Sequence, residues 1–159
     1  MIKKYLILIL FSLIFNTSIF AAGNDSSSKA NDYLKASNLI KSAKKYEKKG
    51  KIEKAKKKYA KAQKLLLKSN EENPLQADTL NYLGFTSRKI GNFEIAEKYY
   101  LEGLSLDPNH FGINEYLGEL YVNTNRIEKA KERLKVLKNC NCEEFEKLYI
   151  AIKSGSSKY

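Results

Sequence analysis

The sequence predicts an all-α protein in which about three helical hairpins stack as a solenoid and a last helix caps the array. Helix-forming Lys, Glu, Leu and Ala are abundant, whereas the 159 residues include only two Pro and eight Gly. Landmark residues return at a spacing of 34, and the last apolar stretch has helical periodicity. These observations argue against a strand-and-turn architecture, and the length suits one domain with a hydrophobic core.

The N-terminal residues 1–22 have the three parts of a secretory signal peptide. Lys3 and Lys4 precede an apolar run of about 11 residues, which is shorter than the roughly 20 needed to span a bilayer. Small residues follow at 21–23, where we expect cleavage. The folded part is therefore expected to be periplasmic or secreted, without an integral membrane span after cleavage. An uncleaved N-terminal anchor is the alternative.

Residues 23–35 are predicted to hold a linker, at 24–28, and the start of the first helix. Beyond it, the array with its capping helix is expected to occupy residues 36–153, and residues 154–159 to form a flexible tail.

The repeat is visible in two separated sets of landmarks. The pair Leu-Gly at 83–84 returns at 117–118, and Ala96 returns as Ala130, each 34 residues later. Small residues at such positions allow the two helices of a hairpin to approach closely. Two sets with one period indicate a repeated helix–turn–helix unit.

This pattern resembles the tetratricopeptide repeat, a 34-residue helix–turn–helix unit, over residues 36–142. The middle unit carries it at Leu80, Leu83, Gly84, Gly91, Phe93, Ala96, Tyr100, Gly103 and Pro108. The next unit carries it at Leu117, Gly118, Tyr121, Ile127, Ala130, Leu134 and Leu137. An earlier unit matches more weakly, at Leu39, Ala43, Tyr46, Gly50, Ile52, Ala55, Tyr59 and Ala62.

The first unit is predicted to contain an unusually long second helix. Its Ala55 lies 41 residues before the matching Ala96, which is seven more than the period. Seven residues are nearly two helical turns, so they lengthen the helix without rotating its buried face. This predicts a helix over residues 52–71.

The last apolar stretch, residues 143–154, is predicted to be the capping helix that covers the exposed end of the array. The residues at spacing i, i+3, i+4 and i+7 are Phe145, Leu148, Tyr149 and Ile152.

The resemblance implies that the first helix of each unit lines a concave groove, where a partner peptide or protein would bind. Carried over by position, the groove residues are Asn81, Tyr82, Phe85, Arg88, Lys89, Glu115, Tyr116, Glu119 and Asn123. Aromatic residues among them suit the role of anchors for a partner. The alternative is that the three aromatic residues pack between neighbouring helices. The expected function is a non-catalytic protein–protein interaction scaffold of the cell envelope.

A second hypothesis rests on the uneven charge. Residues 41–68 contain 13 Lys and two Glu, or +11, whereas residues 69–159 contain 12 basic and 14 acidic side chains, or −2. Helical spacing would place the lysines on one basic face, represented by Lys44, Lys48, Lys54, Lys57, Lys58 and Lys61. Such a face could adhere to an anionic envelope surface, or it could simply be solvated. The ratio of 26 Lys to 3 Arg favours the solvated face, since phosphate sites usually use Arg. Nucleic acid is not expected as a partner of an exported chain.

Cys140 and Cys142 are the two cysteines of the chain, one residue apart at the junction with the capping helix. In an oxidising compartment they could form a local or an intermolecular disulfide. A weak redox or soft-metal role and ordinary thiols are the other interpretations. The single histidine, His110, is a repeat away, so no metal site is predicted. The sequence contains no catalytic motif and no phosphate-binding loop, so we expect neither enzymatic activity nor a cofactor.

Overall fold

The computed structural model describes residues 25–156, and the predicted signal peptide at 1–22 lies outside the described residues. Seven helices follow one another in this part of the chain. They are α1 (Asp25–Lys48), α2 (Ile52–Glu72), α3 (Ala77–Lys89), α4 (Phe93–Leu106), α5 (Phe111–Asn123), α6 (Ile127–Leu137) and α7 (Glu143–Ser154). The predicted all-α solenoid is confirmed.

The helices pair as three hairpins, α1 with α2, α3 with α4 and α5 with α6, and α7 packs on both α5 and α6. The predicted long second helix is present as α2, and the predicted capping helix is present as α7. None of the helices within residues 25–156 is both long and apolar enough to cross a bilayer.

The start of α1 differs from the prediction. A linker was expected at 24–28, but α1 begins at Asp25. Asp and Ser are favourable in the first turn of a helix, so this polar stretch suits a helix start as well as a linker. Farther along, the Asp32 carboxylate lies 2.8 Å from Lys68 Nζ and ties the early part of α1 to the end of α2.

The core consists of side chains that fill the space within and between hairpins. One cluster includes Tyr59, Leu66 and Leu80 between the first two hairpins. A second cluster includes Tyr100 and Leu117 between the second and third hairpins. Burial of such side chains contributes roughly 1.5–3 kcal/mol each and is what stacks the units.

Two glycines permit close contacts, but with different kinds of partner. A Cβ atom at Gly84 would clash with the ring of Tyr100 on the partner helix of its own hairpin, as expected. A Cβ atom at Gly118 would instead lie 2.5 Å from a methyl carbon of Leu148 in α7. The small residue in the third hairpin therefore makes room for the capping helix.

Equivalent turns close the three hairpins with a left-handed residue. Gly50 has φ of 67° and Gly91 has φ of 99°, while Asn125 has φ of 57° in the third hairpin. Glycine adopts this conformation without steric cost, and Asn is the side-chain-bearing residue that tolerates it best.

Candidate functional site

The inner surface of the array is formed by the first helix of each hairpin. Helix α3 contacts α1 on one side and α5 on the other, and α5 also contacts α7. We call the surface lined by α1, α3, α5 and α7 the groove. It is the surface to which the sequence assigned the partner-binding residues.

Lys44 occupies the middle of the groove. Its Nζ donates a hydrogen bond of 3.0 Å to the Tyr116 hydroxyl and lies 4.6 Å from the centroid of the Phe85 ring. Burial lowers the pKa of Lys44, although Glu115 opposes that effect. The assignment of Lys44 to the exposed basic face is therefore wrong, because its side chain turns inward over two aromatic rings.

Phe85 is fully buried and belongs to the core cluster of the first two hairpins. Its ring centroid is 4.8 Å from that of Tyr116 and 5.6 Å from that of Tyr59. Of the two roles considered for this residue, packing between helices is the one that the structure shows.

Two ion pairs join neighbouring helices beneath the groove. Arg88 Nη2 lies 2.7 Å from Glu119 Oε2, and each side chain is only 2% exposed. Lys89 Nζ lies 2.7 Å from a carboxylate oxygen of Glu47, and the hydroxyl of Tyr59 donates a 2.8 Å hydrogen bond to the other oxygen. Burial and the Glu47 carboxylate together raise the pKa of Tyr59. These predicted groove residues thus hold the helices together.

An open cavity of about 500 Å³ lies at the α5–α7 end of the groove. Its walls come from α3, the α4–α5 connection, α5 and α7. The lining residues are Asn81, Tyr82, Asp107, Asn109, His110, Phe111, Gly112, Glu115, Tyr116, Glu144 and Lys147. Four of them, Asn81, Tyr82, Glu115 and Tyr116, were assigned to the groove from the sequence. We call this space the cavity.

Glu115 is the most unusual group of the cavity. The residue is 2% exposed. Burial, together with the neighbouring Glu119 carboxylate, raises the pKa of Glu115 to about 8. A carboxyl group with this pKa carries a proton at neutral pH and can then donate a hydrogen bond.

The remaining predicted groove residue, Asn123, is exposed at the end of α5 and does not line the cavity. Sequence reasoning in turn missed Lys44, Phe111, Glu144 and Lys147 as groove residues. A signal for Lys44 exists: the 41-residue offset that relates the first two hairpins places it in register with Phe85. Phe111, Glu144 and Lys147 have no comparable signal, because they reach the cavity from the first residue of α5 and from the capping helix.

The basic face retains five of its six predicted lysines. Lys48, Lys54, Lys57 and Lys61 are exposed, and Lys58 is half-buried with its Nζ 5.5 Å from the centroid of the Tyr46 ring. None of the five forms an ion pair with another residue of the described chain. These five lysines, which we call the lysine face, lie on α2 and the end of α1, away from the cavity.

Cys140 and Cys142 form a disulfide bond in the turn between α6 and α7. The residue between them, Asn141, has φ of 50°, and Cys142 immediately precedes α7. Among the interpretations considered for the pair, the structure has the local bond. The described residues contain no group of three or more potential metal ligands.

A family model for the tetratricopeptide repeat matches residues 77–110, which comprise α3, α4 and the turn before α5. The hairpins on either side of this repeat have the same arrangement and stack against it. The chain therefore contains a tetratricopeptide repeat at residues 77–110. A curated protein of Guillardia theta, described as uncharacterized protein ycf37, is 35% identical over 63 residues, which are 39% of this chain and 35% of that protein. The match thus spans about a third of that relative's length.

Solved structures with similar tetratricopeptide folds include chaperones and peptide complexes. The type III secretion translocator chaperone SycD of Yersinia enterocolitica matches with a TM-score of 0.65 and 15% identity, covering 86% of this chain and 88% of that one. SycD in complex with a peptide of the translocator YopD matches at 0.56 and 19%, covering 83% and 93%. The second domain of human RPAP3, in complex with an HSP70 peptide, matches at 0.52 and 17%, covering 79% and 98%. At these identities the likeness concerns the fold.

Proposed function

We propose that this chain is a non-catalytic binding module that holds a segment of a partner protein in the groove. The observation that carries the proposal is the cavity, an open space of about 500 Å³ with exposed aromatic and polar side chains on the surface formed by the first helices. A binding site of this kind works through shape and a few anchors, so it needs no catalytic groups.

The aromatic walls of the cavity are suited to anchoring a peptide. Tyr82 and Tyr116 are half-buried, whereas Phe111 is 46% exposed at the start of α5. Large exposed aromatic rings are frequent anchors at protein interfaces, because fixing such a side chain loses little conformational entropy. The complexes of SycD with a YopD peptide and of RPAP3 with an HSP70 peptide support the same use of the fold here.

Phe111 provides a direct test, because Phe93 is a matched control. Each phenylalanine is the first residue of a helix, and their exposed fractions are 46% and 43%, but only Phe111 lines the cavity. Peptides would be selected from a library of short random sequences on the full chain, and their dissociation constants measured by fluorescence anisotropy. Phe111→Ala is expected to weaken binding at least about tenfold, as loss of an anchor does, and Phe93→Ala less than about twofold. Equal affinity of both variants and the unchanged protein would reject the proposal.

We also infer that the module acts outside the cytoplasm, in the cell envelope. The apolar run followed by small residues in 1–22 supports export, and a disulfide between Cys140 and Cys142 suits an oxidising compartment. Cell fractionation with mass spectrometry of the N-terminal peptide tests this. A mature chain that starts near residue 23 in the envelope fraction is expected, and a full-length chain in the cytoplasmic fraction would contradict it.

The lysine face supports a second candidate function, adhesion to an anionic envelope surface. Its five side chains lack acidic partners among the residues of α1 to α7, so their positive charge is available. The triple variant Lys54→Gln, Lys57→Gln, Lys61→Gln is expected to lose binding to phosphatidylglycerol vesicles, and added salt should have the same effect. The control removes three exposed lysines of the third hairpin and its end, Lys129, Lys135 and Lys138. Equal binding by both triple variants would exclude the lysine face as the adhesive surface.

A further inference from the structure

We propose that the cavity selects the partner segment by taking up one of its basic side chains, an arginine or a lysine. This inference rests on the proposed function and specifies the chemistry of the partner. Three features of the cavity carry it: its surplus of carboxyl groups, a buried acceptor without a donor, and its aromatic walls.

Carboxyl groups outnumber ammonium groups among the lining residues. The lining contains the carboxyl groups of Asp107, Glu115 and Glu144. Its one lysine is Lys147, whose Nζ lies 3.0 Å from the carboxylate of Glu143. The other residue with a basic side chain, His110, is held by the chain itself: its Nδ1 accepts a hydrogen bond from the backbone N–H of Ile113. Its Nε2 lies 3.1 Å from the Asp78 carboxylate, so both ring nitrogens already have partners within the chain. The balance of the lining therefore favours a cationic guest.

One buried acceptor in the cavity lacks a donor, and one buried carboxyl group of its wall forms no ion pair within residues 25–156. The Asn81 residue is 7% exposed, and its side-chain carbonyl oxygen accepts no hydrogen bond from the described chain. The Glu115 carboxyl is 2% exposed and forms no ion pair within residues 25–156. A buried acceptor without a donor destabilises the free protein, so a ligand that supplies a donor there is favoured. Guanidinium and ammonium groups supply several donors and no acceptor.

Tyr82, Phe111 and Tyr116 provide the apolar part of the site. The methylene stem of an arginine or lysine can pack along such rings while its charged end reaches the carboxylates. Aromatic faces also attract a cation directly, and more strongly where water is excluded. Carboxylate and ring together distinguish a basic side chain from an apolar one.

The protonation of Glu115 gives the interaction a recognisable pH dependence. Burial and Glu119 raise the pKa of Glu115 to about 8, with Glu144 acting in the same direction and Lys147 and Lys44 acting against it. A cation bound beside Glu115 stabilises the ionised form, so binding at neutral pH releases a proton. Affinity for an arginine-containing peptide should therefore rise as the pH is raised through about 8.

The test uses peptides selected on the full chain and their derivatives in which single arginines are replaced by citrulline. Citrulline keeps the shape of arginine and removes its charge. We expect one arginine whose replacement weakens binding at least about tenfold on the unchanged protein, and less than about twofold on Glu115→Gln. The pH dependence of affinity should vanish in the same variant.

Control variants keep the result interpretable. Glu115→Gln exchanges a largely protonated carboxyl for an amide of equal shape, and Glu144→Gln tests a second, half-buried carboxylate of the cavity wall. Glu102→Gln, on the exposed side of α4, should behave as the unchanged protein. Two results would overturn the inference and leave the groove function intact. The first is that the selected peptides depend on Phe111 but contain no basic residue. The second is that replacing arginine by citrulline weakens binding to Glu115→Gln as much as it weakens binding to the unchanged protein. Failure to select any Phe111-dependent peptide would reject both the inference and the groove function.

Discussion

Leu148 in the capping helix fills the space that Gly118 leaves open on α5. A Cβ atom at Gly118 would lie 2.5 Å from one methyl carbon of Leu148 and 2.6 Å from the other. Leu148 is itself fully buried, so it has little room to move away. The pair fixes how closely α7 can approach the third hairpin, and with it the position of the cavity wall that α7 supplies.

Gly118→Ala is expected to destabilise the fold by about 1–3 kcal/mol, because an added carbon in a filled interior forces its neighbours to shift. Leu148→Ala alone should cost about 2–5 kcal/mol through the cavity it leaves. In the double variant the new methyl group partly fills that space, so the loss should be smaller than the sum. Urea denaturation of the three variants checks this, and strict additivity would show that the two residues do not share one space.

Glu119→Gln should destabilise the chain by about 3 kcal/mol, since it removes a buried carboxylate that compensates the Arg88 charge. The half-exposed pair between Arg126 and Glu97, with N···O of 2.8 Å, offers a matched control. Glu97→Gln is expected to cost about 1 kcal/mol or less, because solvent screens that pair. Thermal unfolding of both variants provides the comparison. Equal losses would mean that burial of the Arg88–Glu119 pair has no energetic consequence.

Glu115 should make the stability of the fold fall as pH rises. Its pKa is about 8 in the folded chain, against 4.5 as the ordinary value, under the influence of Glu119, Glu144, Lys147 and Lys44. Between these values the folded state holds one more proton than the unfolded state, so raising the pH favours unfolding.

Glu115→Gln should therefore match the unchanged protein near pH 4.5 and be more stable than it above pH 8. Urea denaturation at several pH values measures the difference, with Glu102→Gln as the control carboxylate. A variant that is less stable than the unchanged protein at every pH would contradict the assignment.

The disulfide should contribute little to global stability. It spans a sequence separation of two, and closing so short a loop removes little entropy from the unfolded chain, corresponding to about 1–2 kcal/mol. Replacement of both cysteines by serine should thus leave the fold intact, and faster hydrogen exchange should be confined to the start of α7. Exchange measured by mass spectrometry on oxidised and substituted protein tests this. Faster exchange throughout α3 to α6 would show a wider role.

The fold could be predicted from the sequence because the residues that determine it recur at a fixed spacing. The spacing of 34 identified the hairpins, and the seven extra residues before Ala96 correctly implied that α2 is longer than its counterparts. The start of α1 was missed because an Asp- and Ser-rich stretch is compatible with both a linker and a helix start. Only the pairing of Asp32 with Lys68, 36 residues away, shows how that part of α1 is held on α2.

The candidate site could be predicted from the sequence only in part. Register along the first helices placed Asn81, Tyr82, Glu115 and Tyr116 on the wall of the cavity, but it did not distinguish side chains that face the open groove from those covered by a neighbouring helix. Arg88 and Glu119 were assigned to a binding surface although each neutralises the other. Lys44 was misassigned for a related reason: in a lysine-rich segment, periodicity alone does not show which lysine turns inward.

The contact between Tyr33 and Tyr82 connects the early part of α1 to the cavity wall. Their ring centroids lie 5.7 Å apart, so a wall of the cavity rests on a residue in the early part of α1. Helix ends fray more readily than the middle of a packed array, and fraying of α1 would remove this support from Tyr82. A peptide lying against Tyr82 would in turn favour the ordered helix. If a partner segment binds in the cavity as proposed, its binding and the order of the beginning of α1 would be thermodynamically linked.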